Sequence, residues 1–189
     1  MTTNNAVNTS LSGKTGTGQF VGDTSPTLIT PVLGVAAATS LSFSTTSGII
    51  GSTTNDSAAA GSVGELLSSS VGTPGASMTS TTALDVTSLS LTAGDWDVWG
   101  IVNAAIAGAT SVVSGWISAT SATPPTAPNG GAYVYMDLSA ASNTGEPTYF
   151  YVGQMRVSIA SPTTYYLSAK CTFTSTATAF GFLGARRVR

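Results

Sequence analysis

Thr164-Tyr-Tyr-Leu-Ser-Ala-Lys-Cys-Thr-Phe-Thr174 puts Tyr165, Leu167, Ala169, Cys171 and Phe173 on one side and Thr164, Tyr166, Ser168, Lys170, Thr172 and Thr174 on the other. Successive side chains of a strand point to opposite faces, so this period of two describes a strand with one face in a core and one towards water. Ala132, Val134, Met136 and Leu138 alternate in the same way, as do Tyr149, Tyr151, Met155, Val157 and Ile159. Turn-forming residues separate these runs at Asn129-Gly-Gly131, Asn143-Thr-Gly145 and Ser161-Pro162. Short strands divided by Gly and Pro turns, with no helical period among them, predict a mainly β domain over residues 75–189. Its expected form is an antiparallel β-sandwich or jelly roll.

Two runs depart from the pattern of one wet face. In Asp95-Trp-Asp-Val-Trp-Gly-Ile-Val102, Trp96 and Val98 oppose Trp99 and Ile101; in Ser111 to Ile117, Val112 and Trp116 oppose Val113 and Ile117. A two-layer domain covers one face of each sheet, so the second face asks for a neighbouring subunit. Trp99 and Ile101 are therefore expected at an oligomer interface.

Upstream of the strands the chain changes character twice. Residues 1–54 hold no sustained period, and Pro26 and Pro31 push their predecessors towards extended backbone, which predicts an extended N-terminal arm. Asn55, Asp56 and Ser57 are helix-capping types, Ser62 and Glu65 stand at capping-box spacing, and Gly72 sits where a helix would stop. Residues 55–74 are thus expected to form a short helical neck, with Leu66 and Leu67 on an apolar stripe that brings copies together.

The chain has 189 residues, long enough to bury a core, and its net charge is −2. Only 7% of its residues are charged, against about 25% in an ordinary globular protein. Such a surface offers no basic field to nucleic acid and little repulsion between copies. One cysteine, Cys171, and no histidine remove the common ligands of zinc and the usual base of nucleophilic catalysis. No cofactor and no metal are expected. The absence of an apolar run of about 18 residues argues against membrane insertion, and the first residues resemble no export signal, so synthesis in a cytoplasm is expected. Gly13-Lys14-Thr15 lacks the earlier glycine of a phosphate-binding loop, because that position is Asn8. Asp95 and Asp97, two apart on one strand, stand close enough for an acid pair, but solvated carboxylates at a strand start are the expected reading. The chain is therefore expected not to be an enzyme. Tyr133 and Tyr135, with Phe150 and Tyr166, fall on nominally outward faces, and the first two are a candidate receptor platform for sugar rings. Arg186, Arg187 and Arg189 are expected to pair with acids of an adjacent subunit.

The stretch Thr15-Gly-Thr-Gly-Gln-Phe-Val-Gly-Asp-Thr-Ser-Pro-Thr-Leu-Ile-Thr-Pro-Val-Leu-Gly34 resembles a segment, TGTG-x-FVG-x-TSPT-x-x-TPVLG, that recurs in tail fibres and other virion-appendage proteins of tailed bacteriophages. The runs Gly48 to Glu65 and Gly181 to Arg189 extend that resemblance. Leu91 to Val98 and the ending Gly181-Phe-Leu-Gly184 are also similar to the trimeric jelly rolls of the tumour-necrosis-factor and C1q type. These resemblances imply a virion structural protein, a homotrimer whose arm docks on the particle through Phe20, Val21, Pro26, Leu28, Pro31 and Leu33. They imply connector, tail or capsid proteins as partners, and host-surface attachment by the β head. A capsid decoration or head-fibre protein, and a glycan-binding module, are the alternatives.

Overall fold

The computed structural model describes residues 53–126 and 132–189, with the side chains of 138–147 excepted. The expected arm up to residue 52, with all its docking residues, lies outside the described residues. Residues Thr53–Arg189 form one compact unit. Its elements are β1 (Leu66–Ser77), β2 (Leu84–Leu91), β3 (Gly94–Ser118), β4 (Tyr133–Ile159), β5 (Thr163–Phe173) and β6 (Ala177–Arg187). All pairings are antiparallel, in the order β1-β6-β3-β5-β2, with β4 on the other edge of β3.

Two very long strands organise the rest. β3 and β4 run side by side from Gly94 opposite Ile159 to Trp116 opposite Tyr133. Along the other edge of β3, β6 pairs with residues 96–106 and β5 with residues 110–118, so β5 and β6 lie end to end. Between them β3 bends: the register shifts between Ala105 and Ala107 and again between Thr110 and Val112, and Gly108 has a φ of +88°. Bulges of this kind kink a strand, and a left-handed φ suits glycine. The turn after β5 is tied to the bend, since Thr174 N–H donates to Ala109 C=O at 3.1 Å and Ala107 N–H to Thr176 C=O at 2.8 Å.

The bend folds the sheet into two facing layers. Layer one is β1, β6, the first half of β3 and the second half of β4; layer two is β2, β5 and the remaining halves. Leu167 of layer two reaches the bare backbone of Gly100 in layer one, where a Cβ would stand 2.7 Å from its Cδ1. Trp96, Val98, Val102, Ala104 and Ile106 fill the space from one side, and Val113, Ile117, Leu167, Ala169 and Cys171 from the other, all fully buried. At the far edge the hydroxyls of Ser69 in β1 and Thr87 in β2 stand 2.5 Å apart, so the sheet is nearly closed on itself. The mainly β, jelly-roll-like fold is as expected, and β5 carries the alternation read from it: Tyr165, Leu167, Ala169, Cys171 and Phe173 are all buried.

Four expectations need correction. No turn interrupts the chain at Asn143-Thr-Gly145, because β4 runs through it and pairs there with β3. Residues 55–74 hold no helix: Gly61 and Gly64 have φ of +83° and +93°, and Leu66 onwards is β1, with Leu66 pointing out and Leu67 packed on the core. Successive leucines on opposite faces are what a strand gives and a helical stripe does not. The Tyr149 to Ile159 run does not share one face, because between Gly100 and Ile101 of β3 the opposing strand has one extra residue. Gly153 takes a φ of +93° there. One inserted residue reverses the parity of everything beyond it. Met155, Val157 and Ile159 pack on the core, while Tyr149 and Tyr151 are exposed and Phe150 and Val152 are buried. Phe150 is thus a core residue and not part of an outward platform.

Candidate functional site

Along the first half of β3 the inward residues Trp96 and Val98 leave Asp97, Trp99 and Ile101 on the outer face of layer one. The expected opposition of Trp96 and Trp99 therefore holds. Register then decides what surrounds Trp99. Asp97 is paired with Arg186 on β6 and Arg156 on β4, Trp99 with Gly184 and Gln154, and Ile101 with Phe182 and Tyr151. Asp97, Trp99, Tyr151, Gln154 and Arg186 line an open cleft.

Trp99 is half-buried because of what is missing beneath it. A Cβ on Gly184 would stand 2.6 Å from Trp99 Cε2 and 2.7 Å from Cζ2, so the indole lies against bare backbone. Tyr151, 54% exposed, supplies the second aromatic wall. Among the described residues, the side chains of Asp97, Gln154 and Arg186 make no hydrogen bond or ion pair within the chain. The cleft thus combines two aromatic rings with a carboxylate, an amide and a guanidinium that are all free to bond.

The other two arginines of the C-terminal run, Arg187 and Arg189, pair with acids of the same chain. Arg187 donates from Nε to Glu65 Oε2 at 2.9 Å, from Nη1 to Ala93 C=O and from Nη2 to the Thr92 hydroxyl. Its guanidinium lies 4.3 Å over the Trp96 ring, whose Nε1 donates to Thr92 C=O. Glu65 also accepts from Gly61 N–H at 2.8 Å, and this bond, followed by Arg187, holds its carboxyl below the ordinary range. The residue read as half of a capping box closes a turn on a buried arginine.

Asp95 is almost fully buried, and its carboxylate pairs with Arg156 and Arg189, each at 2.7 Å. The Ser158 hydroxyl, then Arg156 and Arg189, keep the group ionised to lower pH than an ordinary aspartate. Asp95 is thus committed to two arginines within the chain, whereas Asp97 faces the open cleft.

The outer face of layer two differs. Tyr133 and Tyr135 are 45% and 56% exposed, but one face of Tyr133 is stacked on Trp116 at 6.0 Å. Trp116 is only 1% exposed although it points away from Val113 and Ile117. Trp116 is in register with Ser168 and Ser168 with Asp85, and on that row Asp85 accepts from the Ser121 hydroxyl at 2.5 Å and from Ala122 N–H at 2.8 Å, beside a bond from the Ser168 hydroxyl. The start of the loop after β3 is thus tied to Asp85 of β2.

Of the expected interface residues, then, Leu66, Trp99 and Ile101 face outward and Leu67 inward. Gln154, Tyr151 and Arg186 were not singled out beside Trp99. No spacing along the chain signals them, because they reach Trp99 from two other strands through cross-strand register, and the bulge at Gly153 reverses the parity on which Tyr151 depends.

No family model matches the chain, and no curated protein matches it. Among solved structures, the infectious bursal disease virus VP2 subviral particle is similar at 11% identity and a TM-score of 0.39, over 66% of this chain and 32% of that one. The Gx strain of the same virus gives 12% and 0.37, over 65% of this chain and 30% of that one. The chain thus spans about a third of the length of these structures. Identities and TM-scores this low assign it neither a family nor a role.

Proposed function

We propose that the chain is a non-enzymatic structural protein of a bacteriophage virion. In this reading the N-terminal arm docks on a tail or connector protein, and the β unit projects as a homotrimer that attaches to the host surface. The observation that carries it is the outer face of layer one, where Ile101, Tyr149 and Leu66 are 39%, 67% and 50% exposed beside the cleft. A solitary sheet keeps its wet face polar, and apolar side chains gathered on one face mark a contact surface. With 7% charged residues, little repulsion opposes contact between copies. The resemblance of Thr15 to Gly34 to phage appendage segments supplies the particle.

Gold-labelled antibody against the β unit, applied to intact particles of the encoding phage, is expected to mark the tail. Label over the shell would select the capsid-decoration reading, and unlabelled particles would refute both. Light scattering of the purified chain is expected to give about three times its 18.8 kDa. A monomer at micromolar concentration would remove the trimer from the proposal.

A further inference from the structure

The geometry points to a saccharide site in the cleft of Asp97, Trp99, Tyr151, Gln154 and Arg186, built for one neutral hexopyranose unit of a larger glycan. This deepens the attachment role proposed above and rests on it, by giving the chemical class of what the outer face of layer one would hold.

A pyranose has two kinds of surface. One face of the ring is a patch of C–H bonds, and its edge is a ring of hydroxyls that both donate and accept. The π face of an aromatic ring carries negative charge and attracts such C–H groups. Trp99, laid over the bare backbone at Gly184, and Tyr151, reached across Ile101, offer that apolar surface. Asp97 accepts, Arg186 donates and Gln154 does both, so a set of hydroxyls at the ring edge would be satisfied from the surrounding strands. Binding sites for small molecules commonly set a few placed polar groups among apolar walls; here two aromatic residues stand among three polar ones.

Two alternatives fit the same groups less well. A second copy of the chain laid flat over the cleft would take a carboxylate, an amide and a guanidinium out of water together, and each would cost free energy unless it met a partner. That makes Trp99 a poor centre for the subunit contact expected from the sequence, and leaves Ile101, Tyr149 and Leu66 as the apolar part of the face. A polyanionic ligand would gain from Arg186 but be repelled by Asp97, which is paired with it across the strands. The opposed charges leave the cleft with no net sign, which suits an uncharged sugar. On layer two, Tyr133 has one ring face already taken by Trp116, and neither tyrosine lines the cleft.

The test uses the purified full-length chain on an array of oligosaccharides built from neutral hexoses, N-acetylhexosamines, heptoses and hexuronic acids. Retention of a neutral-hexose glycan is expected, and its affinity is expected to fall about tenfold or more in Trp99→Ala and in Asp97→Asn. Circular dichroism and the oligomer mass should remain those of the parent chain. Retention of no glycan, or of uronic-acid glycans alone, would overturn the site. So would binding that survives both substitutions, or binding that Tyr135→Ala removes and Trp99→Ala does not. A fall in oligomer mass with Trp99→Ala would return that residue to a subunit contact. Should Trp99→Ala not fold, Asp97→Asn decides alone, since its side chain makes no bond within the chain. Particle labelling tests the virion reading separately: labelled tails with an empty array would sink the sugar site and leave the structural role standing.

Discussion

Phe150 lies across the bare Cα of Gly115: a Cβ there would stand 2.5 Å from Phe150 Cε2. The two residues belong to different layers, Phe150 to the end of β4 that pairs with Val102 and Gly115 to the end of β3 that pairs with Ala169. A ring from one sheet seated in a gap in the other sets how closely the layers approach. It also fixes the fold of the β3 and β4 ribbon, whose two halves meet only because both strands bend.

Gly115→Leu is therefore expected to force Phe150 from its seat and cost about 1–3 kcal/mol, the usual penalty for overpacking a core. Urea unfolding measures it. Phe150→Ala in the same background is expected to recover part of the loss, because the added side chain then has a space to enter. An unchanged midpoint for Gly115→Leu would mean that the layers are further apart than described.

The contrast between β5 and β4 shows what could be read in advance. β5 is unbroken, with a core on one side from Tyr165 to Phe173, so parity alone gives its buried face. β4 carries an equally clear alternation, but one extra residue at Val152 and Gly153 reverses it, and a bulge has no signal in hydrophobic period. The segment before β1 failed differently. Ser62 and Glu65 have the chemistry of a helix start, yet Gly61 and Gly64 take left-handed backbone and Glu65 turns to Arg187, 122 residues away. Local propensity yielded to a long-range ion pair. The cleft was half legible: Asp97 and Trp99 were visible as outward neighbours, whereas Gln154 and Arg186 depend on pairing that a single chain does not display.

Cys171 is fully buried in the layer-two half of the core, and burial pushes its thiol up to about 12. The thiolate is the reactive form, so the native protein should be silent to a thiol-reactive dye near pH 8 and should react at once in urea. Prompt labelling of the folded protein would show that β5 opens, or that its parity has been misplaced.

Stability should fall on the acid side for a reason that two residues share. Gly61 N–H and then Arg187 hold Glu65 below its ordinary value of 4.5, and Ser158, Arg156 and Arg189 hold Asp95 below 3.8. A carboxyl depressed in the folded state stabilises it above its unfolded value and loses that contribution as pH falls through the folded one. Urea midpoints are thus expected to be flat near neutrality and to decline below about pH 4.5. Glu65→Gln should lower the midpoint at neutral pH and make the acid decline shallower. A decline of the same size in Glu65→Gln and the parent would assign the acid sensitivity elsewhere.

The loop after β3 gives the remaining prediction. Asp85 accepts from the Ser121 hydroxyl, from Ala122 N–H and from the Ser168 hydroxyl, and so ties the segment after β3 to β2 and β5. Hydrogen bonds to a charged group contribute about 1.5–3 kcal/mol each when intact, and losses in one cluster do not add. Asp85→Ala is expected to cost about 1–3 kcal/mol in urea unfolding on that basis. Its more specific effect is expected on Trp116, which is buried, stacked on Tyr133 and in register with Ser168, a partner of Asp85. Freed of its anchor, the loop should admit small quenchers, so tryptophan emission in Asp85→Ala should become more accessible to acrylamide. Asp85→Asn, which keeps an acceptor for Ala122 N–H, should lie between the two. If Asp85→Ala lowers stability without raising quenching, the loop is held by other contacts; if it lowers oligomer mass as well, a subunit rather than the loop shields Trp116 in solution.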